Sequence, residues 1–502
     1  MSDLLHITLP IITLLAGGLI ILMLGLSRSS EIHQYLPGLT LLTILYALAI
    51  SFHYQGNISF LCADDSSLRI NGLSLFAGYL TLALGGILVL ATWGHAGWHV
   101  GDPSGRDDCP PTGEFYAMML FSLGGLLLVF VTNNLIILFL ALELVSIPTY
   151  ILVALSRSHP HAAEAGLKYF FLGALSAALI AFGLSYLYGL AGSANFAEIR
   201  NILTTSTVDN IYLIPLVLVI VGLCFKIGAV PMHFYIADVY QGAAAPVSAF
   251  LAFVPKFAGF YALVLILSCF ESLTWFATGR ITELTVWILW IIAAATITVG
   301  NVLALRQRNV KRILAYSAVA HTGYIMLAVL AFLDSQLPCG SALGSLFFYI
   351  CAYALATIGA FSALSLIQSN HEEAQELSDL SGLARRHPVL AAALAVCIFS
   401  LVGMPLTAGF SGKLIILANL VKSSTVPYNI TLVVIAVLNI PVAAAYYLRI
   451  IAAAYIDPGA FTSQLCPRRG PLLAIAVAAL LTILLGLAPK LLLSPLYIAA
   501  QN

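Results

Sequence analysis

The sequence predicts an all-α polytopic membrane protein with about 14 transmembrane helices, two inverted five-helix repeats and broken helices 7 and 12. The chain has 502 residues, of which 61% are hydrophobic and 8% are charged, and its mean hydropathy is +1.01. These values are far from those of a soluble globular domain. Apolar runs of the length that crosses a bilayer recur along the whole chain, and two of them, the seventh and the twelfth, are unusual because each is long and carries a proline deep inside it.

The predicted spans follow one another with short polar connections. The first is preceded by Asp3 rather than by basic residues, and it is longer than the core of a signal peptide. We therefore expect it to be a membrane helix and not a cleaved signal peptide. The spans cover residues 4–26, 35–54, 72–94, 114–131, 133–155, 163–190, 211–235, 243–267, 282–304, 311–333, 341–368, 389–424, 429–453 and 471–495.

Basic residues are distributed unevenly between the two predicted membrane faces. The connections that follow odd-numbered spans hold most of them, namely Arg28, Arg106, Arg157, Arg306, Arg308, Lys311, Arg312, Arg385, Arg386, Arg468 and Arg469. The opposite face has little beyond Arg69, Arg200, Arg280 and Lys490. Because cytoplasmic loops are enriched in lysine and arginine, both termini are predicted to lie on the non-cytoplasmic side.

Prolines deep in the seventh and twelfth spans, Pro231 and Pro405, predict interruptions near mid-membrane. Proline lacks a backbone donor and frees a carbonyl of the preceding turn. Matched interruptions in two halves of a chain are typical of inverted repeats with a functional site at the breaks. The predicted organisation is three N-terminal helices in residues 1–110, a first repeat in 111–270, a second in 271–455 and a last helix in 456–502.

Composition and motifs exclude several classes of function. The net charge is zero, and no basic tail suggests nucleic acid as a partner. The eight cysteines form no C-x-x-C pair and have no histidine at ligand spacing, so we expect neither an iron–sulfur cluster nor structural zinc. No glycine-rich nucleotide motif is present. Any redox chemistry is therefore expected in partner chains.

Glu143 and Lys226 are predicted to form a proton switch inside the membrane. Ionisable groups at this depth are costly, usually pair, and mark ion paths. Glu143 is the one carboxylate near the middle of a predicted span, and Lys226 lies just before Pro231. A nearby carboxylate stabilises the charged lysine, whereas burial alone favours the neutral amine, so relative movement could load and empty Lys226. The alternatives are a structural ion pair or protonated acid for Glu143 and a snorkelling lysine for Lys226.

Three further lysines are candidates for the same relay. Lys256 lies near the centre of the eighth span and Lys413 follows the break in the twelfth, so with Lys226 they could form a row in the membrane plane. Lys168 ranks lower, because Glu164 four residues earlier offers it an ordinary intrahelical salt bridge.

Two histidines complete the candidate site. His233 lies just past Pro231, and His321 lies inside the tenth span among small and hydroxylated residues. Histidine titrates near neutrality and can pass protons, but a lone buried histidine is as often a packing residue. Metal binding is disfavoured for both, because no second ligand stands at a suitable spacing.

Four stretches resemble the antiporter-like subunits of respiratory complex I, the type I NADH:quinone oxidoreductase. They are residues 225–250, 142–148, 309–317 with 321–324, and 403–413, so the resemblance extends over helices 4–13. Within the first stretch, the motif DVYQGA at residues 238–243 most resembles subunit N. The chain departs from the family at Ala237 and Ala244, where proline is frequent, without loss of a titratable group.

The resemblance implies a proton-translocating membrane-arm subunit with a half-channel at Lys226 and Glu143, a connecting lysine at Lys256 and an exit-side lysine at Lys413. It implies that the chain itself carries no cofactor, and that NADH, flavin, iron–sulfur clusters and quinone belong to partner subunits. The implied partners are other antiporter-like and small membrane subunits and the lipid bilayer, in a bacterial inner membrane. Alternatives are a subunit of a sodium/proton antiporter or a related membrane-bound hydrogenase, and a purely structural scaffold.

Overall fold

A computed structural model describes most of the chain. The described residues are 2–27, 30–53, 67–94, 113–156, 160–205, 210–270, 280–333, 339–369, 372–423, 429–456, 463–466 and 468–499. Several positions used above lie outside them, namely Arg28, Cys62, Arg106, Cys109 and Arg157.

Helices dominate the described residues. In chain order they are α1 (Ser2–Gly25), α2 (Ser30–His53), α3 (Gly72–Thr92), α4 (Gly113–Val131), α5 (Leu135–Leu155), α6 (Pro160–Ala191), α7 (Phe196–Thr205), α8 (Leu213–Ile227), α9 (Ile236–Gly242), α10 (Ala245–Phe270), α11 (Arg280–Leu305), α12 (Val310–Phe332), α13 (Cys339–Ser365), α14 (Leu383–Arg386), α15 (Pro388–Val402), α16 (Ala408–Lys422), α17 (Asn429–Tyr455), α18 (Arg469–Leu487) and α19 (Lys490–Ala499). Within the described ranges, 12 of these helices are long and apolar enough to cross a membrane. The prediction of an all-α integral membrane protein is confirmed.

The spans predicted to be broken at Pro231 and Pro405 are each interrupted by a non-helical stretch, which separates α8 from α9 and α15 from α16. The predicted span 211–235 corresponds to α8 and a non-helical stretch before α9, and the predicted span 389–424 corresponds to α15 and α16. α8 ends at Gly228 and α15 ends at Gly403, with positive φ angles of 72° and 90° that favour glycine. The Val230–Pro231 peptide is cis. That each pair crosses the membrane as one broken span, and hence the count of fourteen, stays a prediction.

A small antiparallel sheet lies at one end of the helix bundle. β1 (Ile367–Ser369) pairs with β2 (Glu372–Glu373) and with β3 (Gln464–Leu465), so the strand order is β2-β1-β3. The sheet therefore ties the connection after α13 to the connection before α18.

Burial separates a central group of helices from a peripheral one. Between 94% and 100% of the most apolar 18-residue stretch is buried in each of α10, α12 and α13. In α1, α2, α6 and α17 only about a third of the corresponding stretch is buried. The outer helices expose large apolar side chains such as Leu19, Leu42, Phe171 and Leu438, as expected of surfaces that face lipid or other apolar partners. Lys256 and His321 lie on the central helices.

Candidate functional site

Lys226 and Glu143 form an ion pair between α8 and α5. The Lys226 Nζ atom lies 2.8 Å from Glu143 Oε1 and 2.5 Å from Ser146 Oγ, which is one turn further along α5. The lysine side chain is 3% exposed and the carboxylate side chain is 19% exposed. A buried ammonium group is tolerated only when a counter-ion and hydrogen-bond acceptors surround it, and α5 supplies both.

The end of α8 brings Lys226 close to the central helices. Gly228 turns the chain in the left-handed region, and its amide and that of Ala229 close the last turn on Phe225 O and Cys224 O at 3.0 Å and 2.7 Å. A Cβ atom at Gly228 would lie 2.4 Å from Ile236 Cδ1 and 4.0 Å from Lys256 Cε. The backbone angle therefore favours glycine here, and a Cβ atom would also displace the end of the Ile236 side chain.

Thr322 connects this helix end to Lys256. Its Oγ1 atom lies 2.8 Å from the carbonyl oxygen of Ile227, the residue after Lys226, and it accepts a hydrogen bond from Lys256 Nζ at 3.0 Å. Lys256 also donates to Ala318 O at 2.5 Å and lies over the ring of Tyr353 at 5.2 Å from its centroid. The Thr322 hydroxyl is thus the point at which α8, α10 and α12 meet.

His321, next to Thr322, is held by two tyrosines. Its Nδ1 atom lies 2.7 Å from Tyr349 Oη and its Nε2 atom 3.1 Å from Tyr447 Oη, while Tyr447 is hydrogen-bonded to Ser317. The imidazole ring also lies against Tyr353, with 4.9 Å between the centroids. Both ring nitrogens therefore have hydroxyl partners, so the hydrogen-bonding groups of this buried imidazole are satisfied.

Lys413 caps the helix that precedes it. From α16 its Nζ atom donates to Leu401 O at 3.0 Å and to Val402 O at 2.8 Å, in the last turn of α15. A cation at the carboxyl end of a helix is electrostatically favoured. Lys413 also lies over the Tyr324 ring at 4.9 Å from its centroid, so it faces the α12 helix that carries His321. Within the described residues, Lys413 and Lys256 have no carboxylate within 4.0 Å, unlike Lys226.

Lys168 and His233 lie apart from this row. Lys168 pairs with Glu164 at 2.9 Å and with Asp238 at 3.2 Å, and its side chain is 45% exposed. His233 is buried in the non-helical stretch after α8, and no described residue offers its Nδ1 atom a hydrogen bond. Among the described residues there is also no cluster of three or more histidine, cysteine or acidic side chains suited to a metal.

Sequence reasoning missed the residues that connect the lysines. Thr322 lies on α12, Tyr349 and Tyr353 lie on α13 and Tyr447 lies on α17, and the spacing of these residues in the sequence forms no recognisable motif. Lys311 was grouped with the loop arginines. In the structure it is instead fully buried in the first turn of α12.

The sequence of the chain is similar to those of known membrane proteins over the part that holds these buried side chains. The family model described as NADH:quinone oxidoreductase/Mrp antiporter, transmembrane, matches residues 132–439, which include the whole row. NADH-quinone oxidoreductase subunit N of Trichlorobacter lovleyi is 33% identical over 497 residues, covering 97% of this chain and 95% of the relative. The subunit N of Nitrosomonas europaea is 36% identical over 394 residues, covering 78% of each chain.

The fold of the chain is also similar to those of chains in solved structures. A chain of respiratory complex I from Thermus thermophilus superposes with a TM-score of 0.75 at 30% identity, covering 97% of this chain and 98% of that one. A chain of the Mrp complex from Dietzia sp. has a TM-score of 0.80 at 18% identity, covering 100% of this chain and 97% of that one, and so shares the fold. The chain belongs to the NADH:quinone oxidoreductase/Mrp antiporter family, and within it to the NADH-quinone oxidoreductase subunit N group.

Proposed function

We propose that Glu143, Lys226, Lys256, His321 and Lys413 form the proton relay of this chain, a proton-translocating membrane-arm subunit of NADH:quinone oxidoreductase. The observation that carries the proposal is the Thr322 hydroxyl, which joins the carbonyl oxygen of Ile227, beside Lys226, to the Nζ atom of Lys256. It supports a path that runs across the bundle from α5 to α12, in a region that excludes bulk water.

The first part of the relay is the Glu143–Lys226 pair. While the two groups are 2.8 Å apart, the carboxylate stabilises the charged lysine. If Glu143 moves away, the buried ammonium group loses its counter-ion and releases its proton more readily. The interruption after Ile227, where the helix ends at Gly228, allows this part of α8 to respond without moving the rest of the helix.

The second part runs from Lys256 to Lys413. Tyr353 lies between Lys256 and His321. Tyr324 lies between His321 and Lys413, and its ring centroid is 6.4 Å from that of His321. Hydroxyl groups and bound water pass protons between amines too far apart for a direct bond. His321, bonded to a tyrosine through each ring nitrogen, is suited to the middle position.

The relay has no source of energy within this chain. We place NADH, flavin, iron–sulfur clusters and quinone in partner subunits, and propose that quinone reduction there drives the Glu143 movement. The proposed partners are other antiporter-like and small membrane-arm subunits together with surrounding lipid. The proposed location is a bacterial inner membrane with both termini outside the cytoplasm. Lys168 and His233 lie outside the row and take no step in the proposed relay.

The relay is tested in the assembled complex in native membranes. Glu143→Ala and Lys226→Ala should each lower NADH-driven proton translocation and quinone-reductase turnover. Lys422→Ala is the matched control, because Lys422 is on the same helix as Lys413 but exposed at its end. Normal translocation in both test variants would exclude the relay.

A further inference from the structure

A second buried ion pair lies outside the proposed relay. Lys311, in the first turn of α12, pairs with Glu373 of β2, and their side chains are 0% and 6% exposed. Lys311 also donates to Ala243 O at 3.1 Å, and both oxygens of Glu373 lie 3.0 Å from the amide nitrogen of Ala245. The pair therefore lies at the start of both α10 and α12.

Helix geometry aligns this pair with Lys256. Lys311 precedes Ala318, whose carbonyl accepts from Lys256, by seven residues on α12, which is close to two full turns and about 10 Å. Ala245, bonded to Glu373, precedes Lys256 by eleven residues on α10, which is close to three turns and about 16 Å. Both helices thus present the ion pair and Lys256 on the same side, at the seam between them.

A tyrosine lies beside Lys256, and small buried residues lie on α10 between Lys256 and the ion pair. Tyr353, over which Lys256 lies, has a buried hydroxyl with no hydrogen-bond partner among the described residues. Buried hydroxyl groups are almost always satisfied, by water where protein atoms do not reach them. On α10 the seam is lined by small residues, Ser248, Ala249 and Ala252, all fully buried. These positions share the side of α10 that carries Ala245 and Lys256, and none of them bears a bulky side chain.

We propose that Glu373 and Lys311 form a proton-exchanging pair that connects Lys256 to the membrane face at which α12 begins. This inference rests on the proposed relay through Lys256. A proton from that face neutralises the Glu373 carboxylate, and the Lys311 ammonium group passes its own proton through water to the neutral Lys256 amine. Glu373 then gives its proton to the Lys311 amine, which restores the ion pair. One proton reaches Lys256 in each round.

A purely structural clamp is the competing role, and Lys311→Arg separates the two. Arginine keeps the positive charge and the ion pair but cannot be deprotonated in a protein. The inference predicts that the variant complex assembles and loses most of its proton translocation. Arg312→Lys is the matched control, because Arg312 is the next residue on α12 and pairs with Asp238 on another side of the helix. The control should retain translocation.

Glu373→Gln provides the second variant. Its amide oxygen can still accept from Ala245 and Lys311, whereas it cannot carry a proton. Full translocation in Lys311→Arg would overturn the inference, as would failure of both variants to assemble, which would identify a clamp. Lys256→Met is measured alongside: normal translocation in that variant contradicts the proposed relay itself, whereas a loss there with normal Lys311→Arg contradicts this inference alone.

Discussion

Thr322 is the residue on which the connection between the two halves of the proposed relay depends. Its Oγ1 atom is within hydrogen-bond distance of Ile227 O, Ala318 O and Lys256 Nζ, all inside the buried centre. Removing one partner of a buried charged hydrogen bond costs about 1–3 kcal/mol. The geometry therefore assigns Thr322 a positioning role for Lys256.

Thr322→Val should lower proton translocation while the complex still assembles, because valine keeps the shape and removes the hydroxyl. Thr357→Val is the matched control. Thr357 is equally buried on α13, but its hydroxyl bonds only to carbonyls of its own helix, Tyr353 O and Ala354 O at 2.8 Å and 3.0 Å. Translocation measured in membrane vesicles should fall in the first variant alone; equal rates in both would remove Thr322 from the account.

The sequence identified charged residues of the candidate site more readily than it identified the contacts between charged residues. Glu143 and Lys226 stand out because a carboxylate and a lysine are rare inside apolar spans, and the structure pairs them at 2.8 Å. The Lys311–Glu373 pair was missed, because Lys311 looks like one more basic loop residue and Glu373 lies 62 residues away. Contacts of this kind depend on helix packing, which hydropathy does not encode.

At the scale of elements, the end of α8 sets the position of Lys226. Gly228 combines a positive φ with a close approach of Ile236, so alanine would be strained in both respects. The left-handed conformation alone costs a non-glycine residue about 1–2 kcal/mol. Gly228→Ala should lower the amount of assembled complex and its thermal stability.

Gly189→Ala is the matched comparison for that variant. Gly189 lies inside α6, and no atom lies within 4 Å of a Cβ built on it. Alanine there should be neutral or stabilising by about 0.5–1 kcal/mol, since it favours the helix. If Gly228→Ala melted at the same temperature as Gly189→Ala, the end of α8 would not constrain the site as described.

Asp238 connects α9 to α6 and α12 through exposed ion pairs. It accepts from Arg312 at 2.8 Å and from Lys168 at 3.2 Å, and its side chain is 40% exposed. Ion pairs of this exposure are worth about 0–1 kcal/mol. Asp238→Asn should therefore change thermal stability little in the purified complex. A large drop would mean that α9 depends on Asp238 more than its exposure implies.

At the scale of the whole molecule, hydropathy predicted the membrane fold, because bilayer thickness fixes the length of each span. Predicted and observed helices agree closely where one apolar run forms one helix, as for α5 and α12. They differ where proline and glycine divide a run, as at α15 and α16. The hairpin of β1 and β2 was not predicted, since strands of two or three residues leave no periodic signal.

The predicted orientation can be tested on the complete chain. A phosphatase that is active only outside the cytoplasm, fused after Asn502, should be active, because the positive-inside rule places that terminus on the non-cytoplasmic side. A fusion within the arginine-containing connection near Arg385 should be inactive. The reverse pattern would contradict the assigned orientation.

The central claim is that the buried row carries protons, and Lys256→Met tests it most directly. Methionine fills a similar volume in the centre of α10 and cannot bind a proton. We predict that inverted membrane vesicles containing this variant lose most of the NADH-driven acidification seen with Lys422→Met, at matched amounts of assembled complex. Acidification equal to that of the Lys422→Met vesicles would show that protons do not pass through Lys256, and would contradict the account.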